Sequence, residues 1–356
     1  MKINNWIKKG TIMDRKYITF AIPSYNSQDY LSNCIESIVG LGEEVEVIVI
    51  NDGSKDNTLK IALDYQKKYP NIIRIIDKEN GGHGSGVNAG IEKATGLYYK
   101  VVDSDDWLDE ETGKLLLEQV KSHETLNILP DLYILDFIYE RATDNTSYIR
   151  TYQENFPNNV IFEWNDLKKP FLFSKTLLMH ALMFKTSVLK ESGVKLPHHT
   201  FYVDNLFSYT PLFYTTKMFY MPKVIYHYHI GREDQSVNID NIVKRYDQQI
   251  KVMRLLLSEV SYKEIIKLPK KQKRYIKQFL QAIMIITQMF TTGNNTKERK
   301  IALKSLWKDL KKSDKKMYNF LRYRSYNVLV NYLPWEFKGW IMTKGYLKLA
   351  KKIKLG

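Results

Sequence analysis

The stretch Leu97-Tyr98-Tyr99-Lys100-Val101-Val102-Asp103-Ser104-Asp105-Asp106 runs a short apolar strand straight into three carboxylates. Aromatic and β-branched residues favour the pleated, half-buried surface of a strand. Three acids within four positions repel one another unless a cation neutralises them. Hard divalent ions prefer carboxylate oxygens and fill their shell with substrate phosphates, so the knot reads as a seat for a metal carrying a phosphorylated ligand. A solvated Asp-rich turn is the competing reading of such a cluster taken alone.

The segments on either side set the fold class. Residues 17–22, 44–50 and 72–76 read as buried strands, and 29–39, 58–68 and 86–94 as helices between them. A further helix, 110–123, follows the knot. Strands separated by single helices imply βαβ units, an α/β fold with a mostly parallel sheet flanked by helices. Ligands on such sheets bind beyond the carboxyl ends of the strands. Four polar loops fall there: Pro23-Ser24-Tyr25-Asn26, Asn51-Asp52-Gly53-Ser54, residues 79–86 and the acid knot itself. Farther along, strands are expected at 132–139 and 223–228. Beyond residue 238 Ile242, Tyr246, Ile250, Met253 and Leu257 recur at helical spacing, and 275–290 is another helix.

The bulk composition narrows the class. With 44% hydrophobic and 13% aromatic residues in 356 positions, the chain has ample material for a packed core. A single cysteine, Cys34, excludes a disulfide framework and fits a reducing cytoplasm. The first sixteen residues carry no apolar run of signal-peptide length, and residues 279–290 are too short and too polar to span a bilayer. A cytoplasmic protein is expected, either soluble or peripheral on the inner face of the cell membrane. The net charge of +15 is lopsided: residues 241–356 hold 28 Lys+Arg against 7 Asp+Glu, and residues 1–240 hold 26 against 32. The acidic half holds the knot, and the basic half should face something anionic.

Three motif runs, ITFAIPSYNSQDYLSNCIESI, VEVIVINDGSKDNT and NGGHGSGVNAGIEKATGLYYKVVDSDDW, resemble in order and spacing the family-2 glycosyltransferases of the GT-A fold. The resemblance is strong over about residues 16–110 and weaker to about 238. It implies a Rossmann-like sheet in a domain at 16–238, with a nucleotide-sugar half at 16–110 and an acceptor half at 111–238. Residues 1–15 would be a lead, and 239–356 a basic helical C-terminal region. The glycine spacing at Gly82, Gly84, Gly86 and Gly90 does not fit a dinucleotide fingerprint.

The resemblance also implies roles. Pro23, Tyr25 and Asn26 would hold base and ribose, Asp52 the base, and Gly82 and Asn88 the sugar nucleotide, with Val87 standing where the family often has Arg. Asp103 and Asp105 match the paired acids of the family, so Asp105 and Asp103 would ligate Mn²⁺ or Mg²⁺ on the diphosphate. Ser104 and Asp106 would contact the donor. Transfer with inversion needs a base beside the acceptor hydroxyl, and Asp204 in Phe201-Tyr202-Val203-Asp204-Asn205 matches the second of the family's acid pair. Val203 stands where Glu is common, so Asp204 would act alone. An N-cap for the helix that follows is its structural alternative. Farther on, Arg232 would pair with phosphate oxygens and His229 complete the metal shell; His180, His198 and His199 are left as acceptor-pocket residues without a decision.

The expected activity is therefore a metal-dependent, inverting hexosyl transfer. The donor would be a nucleoside diphosphate sugar, UDP-linked. The acceptor would be a hydroxyl of a glycan, a lipid-linked sugar or a polyol phosphate in cell-envelope polysaccharide synthesis. Trp335, Phe337, Trp340, Ile341, Tyr346, Leu349, Ile353 and Leu355 alternate with lysines, which reads either as an interfacial helix on anionic lipid or as a basic helix packed on the core. No nucleic-acid motif accompanies the basic charge. Two other readings share the pattern: a nucleotidyltransferase, which usually wants a Gly-rich basic first loop, and a non-catalytic nucleotide-sugar or glycan-binding scaffold on the same fold.

Overall fold

A computed structural model describes residues 15–141, 146–171, 175–230, 239–325, 327–335, 337–341 and 344. Its first half is built as the alternation predicts. Strands β1 (Ile18–Ser24), β2 (Val45–Asp52), β3 (Ile73–Lys78) and β4 (Tyr98–Val101) pair in parallel in the order β3-β2-β1-β4. Helices α1 (Leu31–Val39), α2 (Thr58–Lys68) and α3 (His83–Lys93) make the crossovers. All seven residues of β1 and all eight of β2 are buried, as strands covered on both faces must be. The chain winds outward from β1 to β3 and then returns to β4 on the other side of β1. That reversal opens a crevice beyond the ends of β1 and β4, where ligands bind in sheets of this type.

The second half converts the sheet from parallel to mixed. After β5 (Trp107–Leu108) and α4 (Glu110–Thr125), the long strand β6 (Leu132–Arg141) is flanked by β7 (Thr146–Arg150), and β8 (Ile161–Glu163) follows. Strand β9 (Leu182–Lys185) pairs antiparallel with both β4 and β6 and so joins the halves. Helices α5 (Thr186–Ser192) and α6 (Asp204–Phe207) then lead to β10 (Lys217–Ile230), parallel to β6 and antiparallel to β5. The expected strand at 223–228 is thus the second half of a longer one. Pro222 sits at the register shift between Met221 and Val224, an irregularity of the kind that accommodates a residue without an N–H.

Helices α7 (Ile239–Lys244), α8 (Tyr246–Glu259), α9 (Tyr262–Ile265), α10 (Lys270–Thr292), α11 (Lys297–Ser313), α12 (Lys315–Tyr323) and α13 (Asn327–Asn331) fill the basic region. Helix α10 starts five residues before the sequence pattern suggests, because its first turn, Lys270 to Arg274, is polar and shows no apolar period. It packs on the sheet domain. The Tyr275 hydroxyl accepts from the Leu177 N–H (2.9 Å), and its ring stands edge-on to Phe171 at 4.7 Å. Gln272 and Gln278 donate to the carbonyls of Leu212 and Phe171 at 2.9 and 2.6 Å. One hydrophobic core runs from Ile18 to Leu321, so the boundary near 238 marks a change of architecture and not a gap in packing. Among the described residues no helix is long and apolar enough to cross a membrane.

Candidate active site

The acid knot leaves the end of β4 and is caught by β10. The Asp103 N–H donates to the Tyr226 hydroxyl (3.1 Å), and that hydroxyl donates to Asp106 Oδ2 (2.5 Å). The His229 N–H donates to the other oxygen of Asp106 at 2.8 Å. Asp106 is 1% exposed, and burial, then the neighbouring Asp105 and Asp103 charges, push its carboxyl well above the ordinary range. Asp103 behaves in the opposite way. Burial alone would raise it, but His83 and His180 hold it well below the usual carboxylate range. His83 Nε2 lies 2.8 Å from Asp103 Oδ1, and His180 Nε2 lies 3.8 Å from Oδ2. His83 is raised in return: desolvation would lower it, but Asp103 together with the Asp204 and Asp105 charges outweighs that effect. Ser104 shares a 2.7 Å hydrogen bond with Ser27, which ties the knot to the loop after β1.

Asp204 arrives from 101 residues away. The loop ahead of it holds His199 at φ 46° and Tyr202 at φ 64°, left-handed positions rare for side chains of this size. The basic helices brace that loop: Gln248 accepts from the Phe201 N–H at 2.8 Å, and Lys251 Nζ donates to Thr200 Oγ1 at 2.8 Å. Burial raises the Asp204 carboxyl, His180 and His83 offset part of the rise, and Asp103 adds to it. The same two imidazoles therefore act on the charge of both Asp103 and Asp204. Beneath them lies Lys100, fully buried, its Nζ donating to the His180 carbonyl at 2.6 Å. Burial lowers its pKa to about 7, against the opposing pull of Asp103.

The donor set suits a divalent ion. Among the described residues, ligand atoms of Asp103, Asp106 and His180 lie within 4.8 Å of one another. Nδ1 of His180 is buried with no hydrogen-bond partner, and two carboxylates with an imidazole match the preferences of Mn²⁺ or Mg²⁺. The trio differs from the expected Asp105, Asp103 and His229. Asp106 is the acid turned inward, and the ring of His229 lies beside Trp107 and Tyr30, with centroids at 6.0 and 6.5 Å. Its neighbour His227 stacks on Trp107 and meets Glu140 at 3.0 Å.

Comparison with known proteins bears on the family and the fold. Residues 19–185 match the family model described as Glycosyl transferase family 2. That match, just under half of the chain, makes residues 19–185 similar to the family. The glycosyltransferase is 27% identical over 260 residues to EpsH of Bacillus subtilis (strain 168), covering 70% of this chain and 69% of that protein. It is 33% identical over 186 residues to the poly(ribitol-phosphate) beta-glucosyltransferase of Bacillus spizizenii (strain ATCC 23059 / NRRL B-14472 / W23), covering 51% of this chain and 27% of the relative. Its fold matches that of S. aureus TarS residues 1–349 in complex with UDP-GlcNAc, with a TM-score of 0.64, 17% identity and 92% of both chains covered. The GT-A fold and the glycosyltransferase class follow from these likenesses.

The remaining expected residues of the glycosyltransferase divide into two groups. Pro23 ends β1 against Gly86, Tyr25 is about half exposed at 49%, and Asn26, at φ 49°, accepts from the Lys55 N–H at 2.9 Å. Tyr25 and Asn26 are exposed just beyond β1, and Pro23 is buried. Asp52, Gly82 and Asn88 work inside the protein. The Asp52 carboxylate accepts from the amides of Gly81 (2.9 Å) and Gly82 (2.7 Å) and from Lys78 Nζ (2.6 Å). Gly82 sits at φ 81° with His199 so close that an added Cβ would lie 3.1 Å from its nitrogen. Asn88 clamps the Leu196 backbone, donating to its carbonyl at 2.8 Å and accepting from its N–H at 3.0 Å. That clamp holds the loop that carries Asp204. Arg232, Tyr346, Leu349, Ile353 and Leu355 lie outside the described residues. His83 had no role in the sequence reading and His180 an undecided one. Their pairing with Asp103 spans 20 and 77 positions and leaves no local pattern.

Proposed function

We propose that the chain is an inverting, metal-dependent glycosyltransferase that uses a UDP-linked sugar and a hydroxyl acceptor on a cell-envelope glycan, lipid-linked sugar or polyol phosphate. The observation that carries this reading is the gathering of Asp103, Asp106 and His180, whose ligand atoms lie within 4.8 Å of one another, with the Asp204 carboxyl within reach of the His180 and His83 charges. Asp103, Asp106 and His180 would hold Mn²⁺ or Mg²⁺. When bound, the ion supplies Lewis-acid neutralisation of the departing diphosphate. Asp204 takes the proton of the acceptor hydroxyl as its oxygen bonds to the anomeric carbon and the sugar–phosphate bond breaks, the electron pair leaving with the nucleoside diphosphate. His83 and His180 hold Asp103 ionised. The open ring of Tyr25 offers a face for the base.

The donor class is supported by the TarS complex with UDP-GlcNAc, and the polyol-phosphate acceptor by the name of the Bacillus spizizenii relative, of which this chain spans 27%. The metal is supported by a solved mannosyltransferase of Pyrobaculum calidifontis with GDP-Man and Mn²⁺, which shares the fold at a TM-score of 0.51 and 14% identity, covering 94% of this chain and 87% of that one. The test is release of nucleoside diphosphate from a panel of UDP-, GDP- and CDP-sugars, with Mn²⁺ and with EDTA. Metal-dependent release from one donor class, lost in Asp204→Asn with donor binding retained, supports the reading. Release unaffected by Asp204→Asn removes the base from it.

A further inference from the structure

The basic region holds a second constellation far along the chain from the acid knot. Helices α11 and α12, with Trp335 and Lys338, border an open cleft of about 530 Å³. Lys300, Lys304, Lys308 and Lys311 run down one face of α11, joined by Arg322 and Lys338, with Trp307 and Trp335 as walls. Among the described residues no acid lines the cleft. Trp335 lies 5.6 Å from Lys300 Nζ, and Trp307 lies 5.3 Å from the Arg322 guanidinium. At a rise of about 1.5 Å per residue, the four lysines span roughly 16 Å of helix, a row suited to several separate phosphates.

Beside this cleft the chain turns an apolar face outward. Residues 337–341 are helical. Lys338 is buried, with Nζ donating to the Asn331 carbonyl at 3.3 Å, and Gly339 approaches α10 so closely that a Cβ would lie 2.5 Å from the Thr292 carbonyl oxygen. With that side pinned, Phe337, Trp340 and Ile341 occupy the other, since positions i, i+3 and i+4 share a helix face. Phe337 and Trp340 are 59% and 58% exposed, and Leu329 and Tyr332 nearby are also open. Lys344 Nζ sits 4.2 Å over the Trp340 ring. Large apolar side chains inside a collar of cations repel a second copy of the same collar. They match a surface with phosphates at its edge and hydrocarbon beneath.

We propose that this face docks on an anionic bilayer, with Phe337, Trp340 and Ile341 entering the headgroup layer and the cleft cations pairing with lipid phosphates. Two weak attachments, one apolar and one polybasic, combine into a stable one. The inference concerns a surface separate from the transfer site and stands or falls independently of it. The test is co-sedimentation of the full chain with vesicles of phosphatidylcholine alone and of phosphatidylcholine with phosphatidylglycerol. Binding is expected only to the anionic vesicles, with release in about 0.5 M salt. The doubly substituted Lys304→Glu/Lys308→Glu and Phe337→Ser/Trp340→Ser proteins should each bind at least about tenfold more weakly while still binding UDP as the parent does. Failure to sediment with anionic vesicles overturns the proposal. So does equal binding by Phe337→Ser/Trp340→Ser, or a preference for soluble glycerol-phosphate polymer over vesicles; either would make the cleft a site for a phosphate chain in solution.

Discussion

A carboxylate drawn out of water resists ionising, and Asp204 is half-buried, its cost raised by the Asp103 charge and partly offset by two imidazoles. Its raised pKa gives a pH dependence with a definite sign. Only the ionised form accepts a proton, so kcat/KM should rise with pH through an apparent pKa above the ordinary ~3.9 of Asp. Asp204→Asn should lower turnover by about 10²- to 10⁴-fold, the usual contribution of a positioned base, without weakening donor binding. Asp103→Asn should remove metal-dependent nucleotide binding itself, which isothermal titration separates from the base defect. His83→Ala should weaken that binding while retaining it in part, because His180 still faces Asp103. At this scale the acid knot was legible in the sequence, but the ranking of its members was not. Asp106 becomes the inward acid because Tyr226 and His229, more than 100 residues later, bond to it.

At the scale of elements, the site depends on how α3 and the Asp204 loop hold each other. Asn88 satisfies both backbone groups of Leu196, and Gly82 takes a left-handed turn against His199. Asn88→Ala leaves those two groups without partners and should destabilise the fold by about 1–3 kcal/mol, read as a lowered denaturation midpoint. It should also reduce kcat more than KM, since the loop positions the base. A residue that the family motif suggests as a donor contact also clamps the Leu196 backbone. Sequence could not show the clamp, because Leu196 lies 108 positions away. The start of α3 was misplaced for a local reason. The Gly82 carbonyl already accepts from the N–H groups of Ser85 and Gly86, so helical bonding begins before the apolar pattern does.

For the whole molecule, charge and packing answer different questions. The change in charge near residue 240 was plain from composition, yet the core continues across it through Tyr275, Phe279 and Met284. Calorimetric unfolding should therefore show one transition, and a chain cut after residue 238 should fail to fold, because Trp164, Phe171 and Tyr209 would lose the faces of α10 that cover them. Two separable transitions would contradict this. The helical region also braces the loop ahead of Asp204 through Gln248 and Lys251, a task that composition does not reveal. The central claim is that one crevice binds metal and nucleotide together. Titration calorimetry of UDP, GDP and CDP with Mn²⁺, repeated in EDTA and with Asp103→Asn, tests it most directly. The account predicts binding of UDP that needs both the ion and Asp103. UDP binding that is unchanged by EDTA and by the substitution would contradict it.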